Sequence, residues 1–169
     1  MKKINNFVIK NQRGVTIVEM LVYIGLLAII LVILTDMFVG IVSMKLDLDA
    51  LYYNEQDGRF IQARIQQDIN NSQTITTPAS NGTITSTLVI VKSGVTYTYF
   101  LDGDYLKLTN NNGTFKLNSS ETKIENLSFK RLGGGRNDTL QIKYKVTSKT
   151  IRSGLRTQSI NFQSTVGIR

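Results

Sequence analysis

The chain contains no cysteine and no histidine among its 169 residues. Without cysteine there is no disulfide framework, no thiol nucleophile and no zinc–thiolate cluster. Without histidine the commonest general base and the commonest metal ligand are both missing. No catalytic constellation is visible, no cofactor is expected and no metal centre is assigned, so an enzyme is not expected. Proline occurs once, at Pro78, which argues against a proline-rich linker. Acidic residues are absent from the first 14 positions, which carry Lys2, Lys3, Lys10 and Arg13. Those four cations supply half of the formal net charge of +8. By the positive-inside rule they keep this end on the cytoplasmic side. Asp36, Lys45, Asp47 and Asp49 carry no basic excess, so the remainder of the chain is expected outside.

What the chain has in abundance is a long apolar run. Residues 15–35 are 21 in number, ~31 Å as a helix, which matches a bilayer core of roughly 30 Å. One carboxylate, Glu19, stands inside the start of this run. An acidic residue in hydrocarbon costs roughly 2.5 to 3.5 kcal/mol at the helix centre and less near an end. Arg13 and Lys10 lie on the far side of Gly14, so Glu19 is expected to need a partner from outside its own helix. A secretory signal explains this pattern less well. Its apolar core is about 7–15 residues followed by a small-x-small site, whereas the uncharged run from Met20 to Thr35 is 16 residues with no Ala-x-Ala after it.

The segment Arg13-Gly14-Val15-Thr16-Ile17-Val18-Glu19-Met20 resembles the N-terminal signal of type IV pilins and of the pseudopilins of type II secretion and competence systems. The resemblance implies that a membrane-embedded prepilin peptidase cuts between Gly14 and Val15. It implies N-methylation of Val15 and makes Glu19 the fifth mature residue, pairing with the N-terminal amine of a neighbouring subunit. The implied partners are that peptidase, other pilins or pseudopilins in a filament, an assembly-platform membrane protein and the membrane itself. One departure is visible: the family prefers phenylalanine where this chain has Val15. The implied organisation is a cleaved leader at 1–14, a transmembrane and assembly helix at 15–44, and an extracytoplasmic domain at 45–169. The implied location is a single-pass cytoplasmic membrane protein that later joins a filament at the cell surface or in the periplasm.

The hydrophobic pattern predicts how far the helix continues. After Asp36, Ile41, Met44, Leu48, Leu51 and Tyr52 recur at steps of three and four, and Ile61, Ile65 and Ile69 follow at steps of four. This amphipathic stripe predicts one helix over about 15–72. Its packing face is expected to be Leu48, Leu51, Tyr52, Ile61, Ile65 and Ile69, with a kink or break near Asp57-Gly58. From residue 86 the period becomes two, predicting strands at 87–91, 95–101, 105–108, 114–117, 124–130, 139–146 and 158–167. Ser93-Gly94, Asp102-Gly103-Asp104 and Asn111-Asn112-Gly113 mark turns, so 87–117 reads as a meander. The fold class is α+β, one long helix packed on an antiparallel sheet. The 57–69 stretch, Tyr97 to Gly103, and Leu127 to Leu132 look similar to minor pseudopilins of the J type and related competence minor pilins.

Two further constellations stand out. Asp102 and Asp104 are oxygen donors around a glycine, but the full series of a calcium loop is missing and a turn explains them. The C-terminal part is basic, with Lys130, Arg131, Arg136, Lys143, Lys145, Lys149, Arg152 and Arg156 near a glycine triplet at 133–135. Such residues could track a phosphate backbone, as a DNA-uptake pilus would require, or could form a solvated strand face. Asn81-Gly82-Thr83 and Asn112-Gly113-Thr114 are given no function. The sharpest expectation is the cut. Intact-mass measurement on protein from its native membrane should find a chain that begins at Val15 and has lost four positive charges. Full-length protein in cells with an active prepilin peptidase would contradict this.

Overall fold

The computed structural model describes residues 14–133, 138–149 and 157–168. Among the described residues a single helix, α1 (Ile17–Asn70), precedes all the strands. The chain divides into two compact units with the boundary between Ser43 and Met44. In the first unit every large apolar side chain from Ile17 to Ile41 is at least half exposed. Burying such side chains is worth about 1.5–3 kcal/mol each, so the run together outweighs the cost of one acid at its start by an order of magnitude. The helix is long and apolar enough to cross a membrane.

The second unit contains β1 (Thr74–Thr77), β2 (Ile84–Thr85), β3 (Leu88–Lys92), β4 (Val95–Asp102), β5 (Tyr105–Asn110), β6 (Gly113–Lys116), β7 (Thr122–Arg131), β8 (Thr139–Ser148) and β9 (Ser159–Gly167). All pairings are antiparallel. The fold is therefore α+β and pilin-like, as the pattern predicts, but the strands divide into two sheets. One has the order β1-β3-β4-β5-β6 and the other β2-β7-β8-β9. The expected meander is the β3–β6 run. Its first turn is Ser93-Gly94, with φ of 51° and 76°. Those two positive values match the twist of a two-residue hairpin. Asn126 (φ 54°) sits where the β7–β8 register shifts between Glu125 and Ser128. The alternation of β7 resumes beyond this bulge, so Phe129 and Leu127 both face the core.

The core joins Ile61, Ile65 and Ile69 of α1 to Leu88, Ile90, Tyr99, Leu106 and Leu108 of the first sheet and to Phe129, Leu140, Ile142, Tyr144 and Val146 of the second. The expected packing face is only half right. Leu48 and Tyr52 are more than 60% exposed or close to it, at 60% and 63%, and Leu51 is at 39%. The buried residues of the upper part are Ala50, Asn54 and Gly58. They continue the spacing of Ile61, Ile65 and Asp68 upward along the same face. Small and polar residues carry this contact, so hydrophobic periodicity points elsewhere.

The expected break at Gly58 is also corrected, since α1 continues through it. A β-carbon at Gly58 would lie 2.1 Å from the ring of Phe162, so the glycine is there for close approach rather than for bending. The Tyr144 hydroxyl donates to Gly58 O at 2.6 Å, and its ring stacks on Phe162 with centroids 5.3 Å apart.

Polar side chains complete the attachment of α1. Asn54 Nδ2 donates to Gln158 O at 2.8 Å. Asp57 Oδ2 accepts from Ser119 N at 2.9 Å and from the hydroxyls of Ser119 and Thr122 at 2.7 and 2.5 Å. Asp68, 1% exposed, accepts from Arg64 and Lys92 at 3.0 Å each and from the Tyr99 hydroxyl at 2.5 Å. Burial, reinforced by this carboxylate, pushes the Tyr99 hydroxyl well above its ordinary pKa, so it remains a donor. A buried carboxylate with three donors is matched rather than stranded.

The two faces can be told apart by substitution. Ile65→Asp, in the core, should unfold the domain, because an unpaired buried charge costs several kcal/mol. Leu48→Asp should leave its thermal unfolding within about 0.5 kcal/mol of the parent. Equal effects in circular-dichroism melts would overturn the assigned face.

Candidate functional site

The first candidate site is the start of α1. Gly14, Val15 and Thr16 precede the helix and are exposed. A β-carbon on Gly14 would meet nothing within 4 Å, so nothing among the described residues asks for glycine there. Thr16 is the N-cap: its Oγ1 accepts from Glu19 N at 3.3 Å, and its carbonyl accepts from Met20 N at 3.1 Å. This is the spacing of a capping box, Thr16-x-x-Glu19. The carboxylate thereby lies in the first turn, where the helix dipole favours negative charge.

The sequence reading expects no partner for Glu19 on its own helix, and the structure corrects this. The Tyr23 hydroxyl, one turn on, donates to Glu19 Oε1 at 3.0 Å. Both contacts were signalled by spacing alone, three residues back to Thr16 and four forward to Tyr23. Both contacts are neutral, and no cation pairs with Glu19 among the described residues. The carboxylate also retains lone pairs beyond the one Tyr23 uses.

The second candidate is the basic surface. Arg136, Arg152 and Arg156 lie outside the described residues. Arg131 is not a surface contact. Its side chain is 13% exposed and forms a two-pronged pair with Asp138, through Nε to Oδ1 at 3.1 Å and Nη2 to Oδ2. Its Nη1 also donates to the carbonyls of Pro78 and Ala79 at 3.0 and 2.8 Å. It therefore clasps the segment after β1 to the second sheet.

Lys149 pairs with Asp104 at 3.0 Å, its ammonium 4.6 Å from the Tyr105 ring centroid. The hydrogen bond to Asp104 raises its pKa. Asp102 pairs with Lys107, whose hydrogen bond lowers the pKa of this carboxylate. The two turn carboxylates are thus both engaged by lysines. Lys145 faces Glu125 at 3.5 Å. Lys130 and Lys143 remain on the outward face of the second sheet, opposite Gln141 and Ser128 in the β7–β8 register. Among the described residues, Lys130 and Lys143 are the two proposed basic contacts left on this face without an acidic partner.

Residues 9–35 match the family described as the prokaryotic N-terminal methylation motif. No curated protein and no solved structure matches the chain. The motif and the α+β architecture support a type IV pilin-like or pseudopilin protein. The exposed apolar helix near the N-terminus fits a membrane-anchored chain.

The outward sheet face makes a pH prediction. The Lys123 hydrogen bond at 2.8 Å, a second from the Thr147 hydroxyl at 2.8 Å and the charge of Lys145 depress the Glu125 pKa to about 2. A depressed carboxyl stabilises the fold above its unfolded pKa of about 4.3 and loses that contribution as pH falls toward the folded value. With the side chain about a third exposed, solvent screening keeps the effect below ~1 kcal/mol. Urea midpoints should therefore fall between about pH 4.5 and 2, and Glu125→Gln should remove that component. A Glu125 carboxyl that titrates near 4.3 by NMR would overturn the assignment.

Proposed function

We propose that this chain is a minor pilin or pseudopilin, a structural subunit of a type IV pilus-like or type II secretion filament, and not an enzyme. One observation carries the reading. An exposed Gly14–Val15 bond, in non-helical backbone, leads directly into a capped helix with an acid in its first turn and an uncovered apolar run behind it. A peptidase needs its substrate extended and accessible, and Gly14 serves that need where the fold has none for it. Cleavage would leave the Val15 amine, the expected site of N-methylation, at the head of the helix.

In this reading the domains are the leader 1–14, the assembly helix 15–44 and the outer domain 45–169. The apolar run is membrane-embedded before assembly and covered by neighbouring helices afterwards. Glu19, satisfied in the monomer by Tyr23 and the helix end, exchanges that neutral contact for the Val15 amine of an adjacent subunit. A matched ion pair in a low-dielectric interior fixes register, because leaving either charge unpaired costs several kcal/mol. Prepilin peptidase, the other filament subunits and an assembly-platform protein are the partners. The DNA-binding alternative retains Lys130 and Lys143 but loses Arg131 to the Asp138 clasp, and no observation favours it.

Expressed beside its assembly machinery, Glu19→Ala should insert into the membrane as well as the parent chain and be depleted from the sheared filament fraction. Glu19→Asp should recover little, because the shorter side chain does not reach the same amine. Tyr23→Phe should assemble normally, since the hydroxyl is released on assembly. Parental levels of Glu19→Ala in filaments would sink the registration role.

A further inference from the structure

The rims of the two sheets differ in a way that stability alone does not explain. A sheet edge presents unpaired N–H and C=O groups, and folded proteins blunt such edges with short strands, charges, proline or bulges. Among the described residues, three of the four edge strands are blunted. β1 has four residues and a register shift, β2 has two residues, and β6 has four and ends on Lys116. The fourth, β9, runs nine residues and pairs with β8 through nine consecutive partners without a shift. Its sequence, Ser159-Ile160-Asn161-Phe162-Gln163-Ser164-Thr165-Val166-Gly167, has no charged residue and no proline.

The register identifies the groups on its open side. Ser148 N donates to Gln158 O at 2.9 Å, and Ile168 N donates to Asp138 O at 3.0 Å. Even-numbered residues therefore bond to β8, and the N–H and C=O of Ser159, Asn161, Gln163, Thr165 and Gly167 point away from it. Among the described residues these groups have no partner.

Beside this edge lies a trough of about 490 Å³, walled by Glu55, Arg59, Gln62 and Gln66 of α1 and by Ile160 and Phe162. A second hollow, which shares Gln66 with it, is lined by Asn70 and by Thr165 to Ile168. Gln62, Gln66 and Asn70 recur every four residues on one helix face, and Gln66 Nε2 already donates to Ser164 Oγ at 2.6 Å. Carboxamides both donate and accept. This wall suits polar side chains on the inner face of an added strand.

We propose that the open edge of β9 receives an extended segment of a neighbouring, non-identical subunit as a fifth strand of this sheet. Main-chain bonding to an exposed edge is a general mode of peptide recognition. The donor is uncharged or acidic. Lys143 is exposed on β8 with Lys145 beside it, and a second copy of this chain would bring the same positive face alongside. That the donor is a filament subunit rests on the function proposed above; that the edge accepts a strand does not.

The test uses the full chain in its native cells. A photo-crosslinking residue, p-benzoylphenylalanine, replaces Gln163 at the edge or Lys130 on an inner strand. Crosslinks from position 163 should map to an extended segment of one subunit with a short basic leader, and should be about tenfold stronger than from position 130. Thr165→Pro deletes one outward N–H while sparing the β8 ladder, which edge strands tolerate. It should weaken the crosslink about tenfold, whereas Thr165→Ala, with its main chain intact, should not. Equal crosslinking from both positions, or a crosslink that survives Thr165→Pro in a folded domain, overturns strand addition. A crosslink to a second copy of this chain overturns the choice of donor. Absence of the parent chain from the filament fraction overturns the filament reading alone, because the mapped crosslink still decides whether a strand is added.

Discussion

Gly58 and the Phe162 ring meet where no side chain would fit between them, and the arrangement of the second sheet follows from this contact. Any side chain at position 58 would occupy space that the ring fills. Because it is bare, Tyr144 reaches the helix backbone and β9 lies directly against α1. Asn54 and Gln66 then find partners on the same strand, at Gln158 and Ser164. A missing methyl group thus sets the spacing of a helix and a sheet, and through it the position of the open β9 edge.

Much of this was legible in the sequence where one physical signal dominates. The apolar run, the glycine before it and the acid at its start are patterns of charge and hydropathy, and they survive any tertiary context. The meander of β3 to β6 was legible because Ser93-Gly94 and Asp102-Gly103-Asp104 are turn chemistry at hairpin spacing. Leu140, Ile142, Tyr144 and Val146 alternate cleanly, and all four are buried.

What was not legible depends on contact between distant residues. β1 and β2 are short and threonine-rich, and they exist because β3 and β7 offer them a ladder. The upper packing face is built from Ala50, Asn54 and Gly58, which contribute little to any hydrophobic pattern. Leu48, Leu51 and Tyr52 have the right period and the wrong face. Arg131 has the composition of a surface cation and the position of an internal clasp, since Asp138 is seven residues away across the β7–β8 connection. In the candidate site, Thr16 and Tyr23 went unnoticed beside Glu19, because the hydropathy of the run masks two hydroxyls within it.

The attachments of α1 run lengthwise, from Asn54 through Asp57, Gly58, Ile61 and Ile65 to Asp68. At 1.5 Å per residue that is about 21 Å of helix. A traction applied along the axis of α1 loads these contacts side by side, as a lap joint is loaded in shear, and not one after another as a tape is peeled. Hydrogen bonds at Asn54, Asp57, Gly58 and Asp68 must then yield together with the isoleucine core. The domain resists being drawn off its own helix by the same geometry that folds it.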